Sequence, residues 1–527
     1  MRDNRVENLP PPAASSPPRR LFRDQLEIRI FAVLFVVMVF FLSIGPGRTQ
    51  GARVMAHAYA LLHEHRNAID TCHWNTIDKA YFQGHYFASA GPGMGYLALV
   101  PLAAFERIYA LLPAPAVHAI EQKMRSRLQQ QEQHLIQDGY LSFDPAVNQV
   151  GLLEFHASIW FFELFIALLM AAAAVVFYRL LGAFEVSNAL AGEAALVLGL
   201  GTILFYYSRM ACAVVPAAFC LLLAFYQLVR VRQGPKAPAG TAPIRLVASG
   251  LALGAAVAIE YIQIIGAALI FLYGWRCLGT RRACWLALGG IPVGILIMLY
   301  HYAAFGNPFT FPHQHLIPLF TEHSAGLLGL TYPSPDRIAA LAAGLRRGML
   351  VYSPILILPL VLLVRNAFFS RRHAAEALLV LGLFVGYLLF QATSPLVGQT
   401  WGIGPRYVAA VTPFLMLGVI YIRTPFQRRA FHFLAILSVL VSWLTVQRDI
   451  EPKHSAAPLL DATSAFLRSG PTSSLLEQGL SLSRGASPLR SLAVNLAAYA
   501  ILAGLLWLIW QVTAPKPTPD IAPVPNP

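Results

Sequence analysis

Two carboxylates, Asp70 and Asp78, stand in the stretch of the chain that is densest in chemically able side chains, IDTCHWNTIDKAYFQGHYFASAGPGMGYLALVP over residues 69 to 101. A carboxylate can act as a general base toward an acceptor hydroxyl, while cationic groups or a metal ion can hold a departing phosphate. Asp70 is the first choice for the base. Asp78 is a second acid that would orient the acceptor, bind a metal or cap a helix. The plain alternative is an N-cap at Asp78 and a solvated Asp70, and spacing alone leaves both open. With His73 and His85 the two aspartates form a candidate set for a divalent metal ion, although histidines without tight ligand spacing are more often polar loop residues. Trp74, Tyr81, Tyr86 and Trp401 could stack on sugar rings, and they are also what a membrane-water belt contains.

Outside this stretch, Arg406 in Gly-Ile-Gly-Pro-Arg-Tyr is suited to bidentate phosphate binding, with Tyr407 beside it; an interfacial anchor is the alternative. Arg347, next to Arg346, precedes an apolar run and poses the same choice. Glu260 lies at the junction of two apolar runs. An acid there is costly unless it pairs or faces a cavity, so it is a candidate by default. Glu163 carries the same ambiguity with less support.

The elements that must position these residues are membrane spans. Of 527 residues 57% are apolar and 12% charged, which excludes an ordinary soluble domain. The net charge of +14 falls in short basic clusters between apolar runs, so it reads as topology and not as a nucleic-acid surface. Five cysteines, four in or beside apolar runs, give no disulfide framework.

Runs near the bilayer length occur at 30–45, 152–178, 188–206, 210–229, 246–260, 261–275, 284–303, 348–364, 374–392, 407–422, 430–446 and 491–511. This predicts an all-α polytopic protein of about twelve transmembrane helices, with a large helical first loop at 46–151. A further stretch, 94–112, is read as a helix lying on the membrane surface. With it placed so, the short inner loops hold 14 Lys and Arg in 49 residues against 18 in 211 outside, as the positive-inside rule requires. Val117, Ile120, Met124, Leu128 and Leu135 form one helical stripe over 117–136. Further outward loops are expected at 304–347 and 447–490, and disordered cytoplasmic tails at 1–29 and 513–527, around a transmembrane domain at 30–512.

Several short motifs follow one another along the chain: Ile69-Asp70, Asp78-Lys79-Ala80, Gly84-His85-Tyr86, Pro92-Gly93, Gly201-Thr202, Tyr207-Ser208, Glu260-Tyr261, Phe305-Gly306-Asn307-Pro308, Tyr332-Pro333-Ser334, Arg347-Gly348, Tyr352-Ser353-Pro354, Trp401-Gly402, Gly404-Pro405-Arg406-Tyr407 and Pro413-Phe414. In these, over roughly residues 53 to 420, the chain resembles bacterial membrane glycosyltransferases of the GT-C superfamily, related to protein O-mannosyltransferases and aminoarabinose transferases. The resemblance implies a bacterial inner-membrane enzyme whose site faces the periplasm. Its donor would be a polyprenyl-phosphate-linked sugar and its acceptor a glycan, lipid or protein of the cell envelope.

Asp70 and Asp78 would be catalytic. Arg406, Arg347, Glu260, His85, Tyr86 and Tyr407 would bind donor or substrate, and a divalent metal ion is a candidate cofactor. The chain departs from the pattern twice: Ala90 stands where relatives carry a lysine before the Pro-Gly turn, and Ala213-Val214 where they tend to carry a histidine. A replacement cation is sought among Arg406, Arg346, Arg347 and Arg337. The alternatives are a lipid-linked glycan transporter or flippase, and a non-catalytic relative in envelope assembly.

Overall fold

The computed structural model describes residue 22 and residues 24–43, 49–234, 241–320, 330–370, 372–394, 402–447, 455–471, 475–477 and 488–514. Most of both expected tails and Trp401 lie outside them. The chain is an all-α polytopic membrane protein. Among the described residues eight helices are long and apolar enough to cross a bilayer: Leu152–Ala183, Val214–Arg232, Thr241–Ile259, Tyr261–Leu278, Thr280–Phe305, Ala374–Thr393, Pro425–Val446 and Leu489–Val512. Each coincides with one of the expected runs.

In chain order, α1 (Gln25–Phe40) begins inside the stretch expected to be a disordered tail, where Asp24 caps it by accepting from the Glu27 N–H. The first loop then folds as α2 (Thr49–Tyr59), a two-stranded hairpin, α3 (Gly93–Tyr109), α4 (Ala114–Gln131) and α5 (Gln133–Gln137). The bundle continues with α6 (Leu152–Ala183), α7 (Asn188–Leu200), α8 (Ile203–Tyr207), α9 (Val214–Arg232), α10 (Thr241–Ile259), α11 (Ile264–Leu278) and α12 (Thr280–Phe305). After it come α13 (Pro335–Ala343), α14 (Met349–Tyr352), α15 (Ile357–Phe369), α16 (Ala374–Thr393), α17 (Arg406–Ala409), α18 (Thr412–Leu415), α19 (Pro425–Val446), α20 (Pro458–Ser469) and α21 (Pro488–Val512). The stretch 94–112 forms α3, which turns by 119° into α4.

The other four expected runs are shorter or broken helices, and side-chain oxygens satisfy the backbone groups that the breaks expose, as an apolar surrounding demands. Between α7 and α8, Thr202 caps by accepting from Leu204 N, and the Ile203 N–H donates to Ser353 Oγ at 2.8 Å. Between α14 and α15, the Ile355 N–H donates to Ser438 Oγ at 3.0 Å. Before α17, the Tyr207 hydroxyl donates to the Ile403 carbonyl at 2.8 Å. Thr202, Tyr207 and Ser353 all belong to the ordered motifs, so these motifs mark where broken helices lock together.

Within the first loop, expected to be a large helical segment, residues 79–88 form an antiparallel hairpin: β1 (Lys79–Phe82) pairs with β2 (His85–Ala88) in the register Lys79↔Ala88 to Phe82↔His85. Two consecutive residues with positive φ, Gln83 at 48° and Gly84 at 90°, make the turn, the type I′ geometry that suits hairpin twist. Segments from elsewhere cover both edges. The Ile69 N–H donates to Tyr86 O at 2.7 Å, and the Ile317 N–H to Lys79 O at 3.4 Å.

Candidate functional site

The first loop is fastened to the bundle by the Gly91-Pro92-Gly93 turn. A Cβ on Gly93 would lie 2.5 Å from Ala258 C and Ile259 N, and one on Gly91 would strike the Ala258 carbonyl. Only glycine permits so close an approach. The turn therefore seats the start of α3 directly on the last residues of α10, whose next residue is Glu260. Ser89 at the end of the hairpin and Asp78 at its start are carried to the same seam.

There, Arg53 of α2 reaches across. Its Nη1 donates to Asp78 Oδ2 at 2.6 Å and to Ser89 Oγ at 3.2 Å, and the Ser89 hydroxyl donates to Asp78 Oδ1. The ion pair is largely closed to solvent, with side chains 10% and 21% exposed. A second pair lies on the bundle side. Arg406 Nη2 stands 3.5 Å from Glu260 Oε1, and Gln263 Nε2 donates to Glu260 Oε2 at 2.9 Å. Tyr407 lies within electrostatic range of Arg406, Glu260, Arg53 and Asp78 alike. Arg347 is buried, with Nη1 3.5 Å from the Gly402 carbonyl, and both it and Arg406 lie within electrostatic range of Tyr207.

Asp70 is elsewhere. It accepts from the Tyr86 N–H at 2.8 Å through Oδ1, and through Oδ2 it meets His85 Nδ1 at 2.8 Å and Arg66 Nη1 at 3.3 Å. Asp70 thus grips β2 at His85 and Tyr86 while Asp78 grips Ser89, at opposite ends of a strand some four residues long, or about 13 Å at the usual rise per residue. The expected pairing of the two aspartates is not what the chain builds. Asp70 instead satisfies a strand-edge N–H and orients an exposed imidazole.

Nor does Asp78 cap a helix; it precedes β1. His73 stacks on Tyr86 at 3.9 Å between ring centroids and receives Lys79, so the four candidate metal ligands fall in three places. Among the described residues no group of three or more His, Cys, Asp or Glu is placed to hold a metal ion.

Lys79, only 2% exposed, has no carboxylate partner among the described residues. Nζ donates to the His73 carbonyl at 2.8 Å and the Tyr140 carbonyl at 2.9 Å, and lies 3.3 Å from His73 Nδ1. Trp74 and Tyr86 flank it at 5.4 and 5.2 Å. Burial pushes its amine down to about 7. Burial, then the adjacent Lys79, holds His73 down at about 4 against the opposing pull of Asp70. The lysine ties the hairpin to the 3₁₀ turn His73–Asn75 and to the chain after α5.

Arg53 and Ser89 were missed from sequence. The signal available was slight: a lone arginine in TQGARVMAHAY, a short helix that also carries Thr49, Gln50 and His57 among small or apolar residues. Arg337 is held away from the seam, where it donates to the carbonyls of Ala392 and Ser394 and to Thr331 Oγ1.

No family model matches the chain, and no curated protein matches it. Solved structures do. One is ArnT from Cupriavidus metallidurans bound to undecaprenyl phosphate, 16% identical over 93% of this chain and 76% of that one, with a TM-score of 0.46. Another is the apo oligosaccharyltransferase of Archaeoglobus fulgidus, 13% identical over 95% of this chain and 61% of that one, TM-score 0.46. A third is the archaeal oligosaccharyltransferase AglB of the same organism in complex with an inhibitory peptide and a dolichol-phosphate, 12% identical over 94% and 56%, TM-score 0.39. At these identities the likeness concerns the path of the chain and carries no statement of activity.

Proposed function

We propose that this protein is a membrane glycosyltransferase that moves a sugar from a polyprenyl-phosphate carrier to a hydroxyl of a cell-envelope acceptor, with its site on the periplasmic side of the bacterial inner membrane. The observation that carries the reading is the seam itself: the Arg53, Asp78 and Ser89 triad beside the Arg406 and Glu260 pair, where the first loop sits on the bundle. Two guanidinium groups and two carboxylates in a place sheltered from water give both halves of a transfer reaction, a base for the acceptor and cations for the leaving phosphate.

Asp78, not Asp70, is the base in this reading, because Asp70 is spent on a strand-edge N–H and on His85. Asp78 takes the acceptor hydroxyl proton as the acceptor oxygen bonds to the anomeric carbon. The bond from that carbon to the phosphate oxygen breaks, and its electron pair leaves with the lipid phosphate. Arg53, Arg406 and Arg347 stabilise that phosphate. Arg53 thereby supplies the cation that Ala90 does not, and an arriving phosphate competes with Asp78 for it, so donor binding frees the carboxylate. No step is assigned to a metal ion. His85, Tyr86 and Asp70 hold the hairpin's far end.

The test is transfer from a radiolabelled polyprenyl-phosphate sugar in proteoliposomes. Asp78→Asn should lower turnover by about 10²-fold or more, the scale of a lost general base, while Asp70→Asn keeps turnover near wild type. A fully active Asp78→Asn chain ends the assignment. Intact lipid-sugar translocation with no transfer in the wild type would make the chain a flippase.

A further inference from the structure

Beneath the hairpin, between α4 and the chain leading into α6, lies a second polar place that the transfer site does not use. A cavity of about 90 Å³ is lined by Asn75, Glu121, Arg125, Phe143, Asn148 and Leu152, among others. Three of these residues each carry a buried polar atom with no hydrogen-bond partner among the described residues: Asn75 Nδ2, Arg125 Nε and Asn148 Oδ1. Orphaned buried polar atoms are rare and costly, and three on the walls of one cavity point to something that fills it.

Their chemistry narrows the filler. The orientation of Asn148 is fixed because its Nδ2 donates to Ser142 O at 2.7 Å and to Asp144 O at 3.3 Å, which leaves Oδ1 as an acceptor. Asn75 Nδ2 and Arg125 Nε are donors. An anion would meet Asn148 Oδ1 and the Glu121 carboxylate; a cation would meet the Arg125 guanidinium. A neutral hydroxyl compound suits the mixture, since each hydroxyl both gives and takes a hydrogen bond. Phe143, buried, and Leu152 offer the apolar wall against which C–H groups of a ring can pack.

We propose that this cavity holds the hydroxyl edge of a neutral sugar. Asn75 precedes Asp78 by three residues, so their Cα atoms lie within about 10 Å at full chain extension. A glycan held at the cavity is thus within reach of the base, and in this proposal the sugar is a unit of the acceptor. That role rests on the transferase reading; the binding itself does not.

The experiment is saturation-transfer NMR on the full chain in nanodiscs, with the methyl glycosides of glucose, galactose, mannose and N-acetylglucosamine as probes. At least one should bind saturably below about 100 mM, the weak range of a single subsite. Asn75→Ala and Arg125→Met should each weaken it roughly 5-fold, as loss of one hydrogen bond does, without lowering the melting temperature. In transfer assays Asn75→Ala should raise the acceptor KM and spare kcat. If no glycoside saturates, or if both cavity variants bind as wild type does, the cavity holds water only and the inference falls. If glycosides bind as expected while Asp78→Asn transfers normally, the sugar site stands and the transferase mechanism falls.

Discussion

Replacing Gly93 by alanine tests whether the seam between loop and bundle builds the site. The added Cβ would lie 2.5 Å from Ala258 C and Ile259 N, where carbon atoms in contact sit about 3.5–4.0 Å apart. Those atoms are backbone, and no side chain can swing aside to make room. The start of α3 must retreat by about 1 Å, an overpacking that costs about 1–3 kcal/mol. Ser89 and Asp78 are tethered to the same turn, so they move away from Glu260 and Arg406 together. A displacement of about 1 Å in a catalytic constellation can lower turnover by about 10²-fold.

Gly294 of α12 supplies the control, because a Cβ there meets nothing within 4 Å, and alanine in a helix interior is favoured over glycine by up to about 1 kcal/mol. The assay is transfer in proteoliposomes beside thermal unfolding in detergent, for both variants. Gly93→Ala should lose far more activity than its stability loss explains, while Gly294→Ala stays active and is as stable as wild type or more so. A Gly93→Ala chain that turns over at the wild-type rate would show that the seam does not set the chemistry.

Three further outcomes are expected. Breaking the Arg53 and Asp78 pair from one side, by Arg53→Met or Asp78→Asn, should cost about 3–5 kcal/mol because a buried charge is left alone; the double variant should recover part of it, and strictly additive losses in denaturant melts would refute the pairing. For Lys79, burial lowers the amine to about 7 from an ordinary 10.5. The unfolded chain thus binds the extra proton between those values, and stability should rise with pH from about 7 to about 10.5. Melts of Lys79→Met should lack that rise; if the variant keeps it, another group is responsible. Finally, in a chain with Cys284→Ser, a cysteine at exposed His118 should react with an impermeant maleimide applied to intact spheroplasts, and one at Gln233 only after lysis. The reverse pattern would put the first loop in the cytoplasm.

Hydropathy was enough to find the spans, because transfer of a helix into hydrocarbon depends on the sum of its side chains and hardly on where each one points. Eight runs appear as single helices, and the ordered motifs fall at the joints of the broken ones, where Thr202 and Ser353 must satisfy exposed backbone. Local sequence also held the hairpin turn, since Gln83-Gly84 stands between the aromatic pairs Tyr81-Phe82 and Tyr86-Phe87, although helical patterns surround it.

The site was different. Asp70 and Asp78 look alike as two loop carboxylates, and their partners decide between them: Tyr86 N–H for one, Arg53 for the other. Arg53 lies 25 residues from Asp78 and Arg406 lies 146 from Glu260, separations across which no periodicity carries a signal. Only packing of the glycine turn on α10 brings these charges together. Sequence determined that the chain lives in a membrane and where its helices break; the tertiary structure decided which acid meets which base, because ion pairing depends on distance in space and the chain order records none of it.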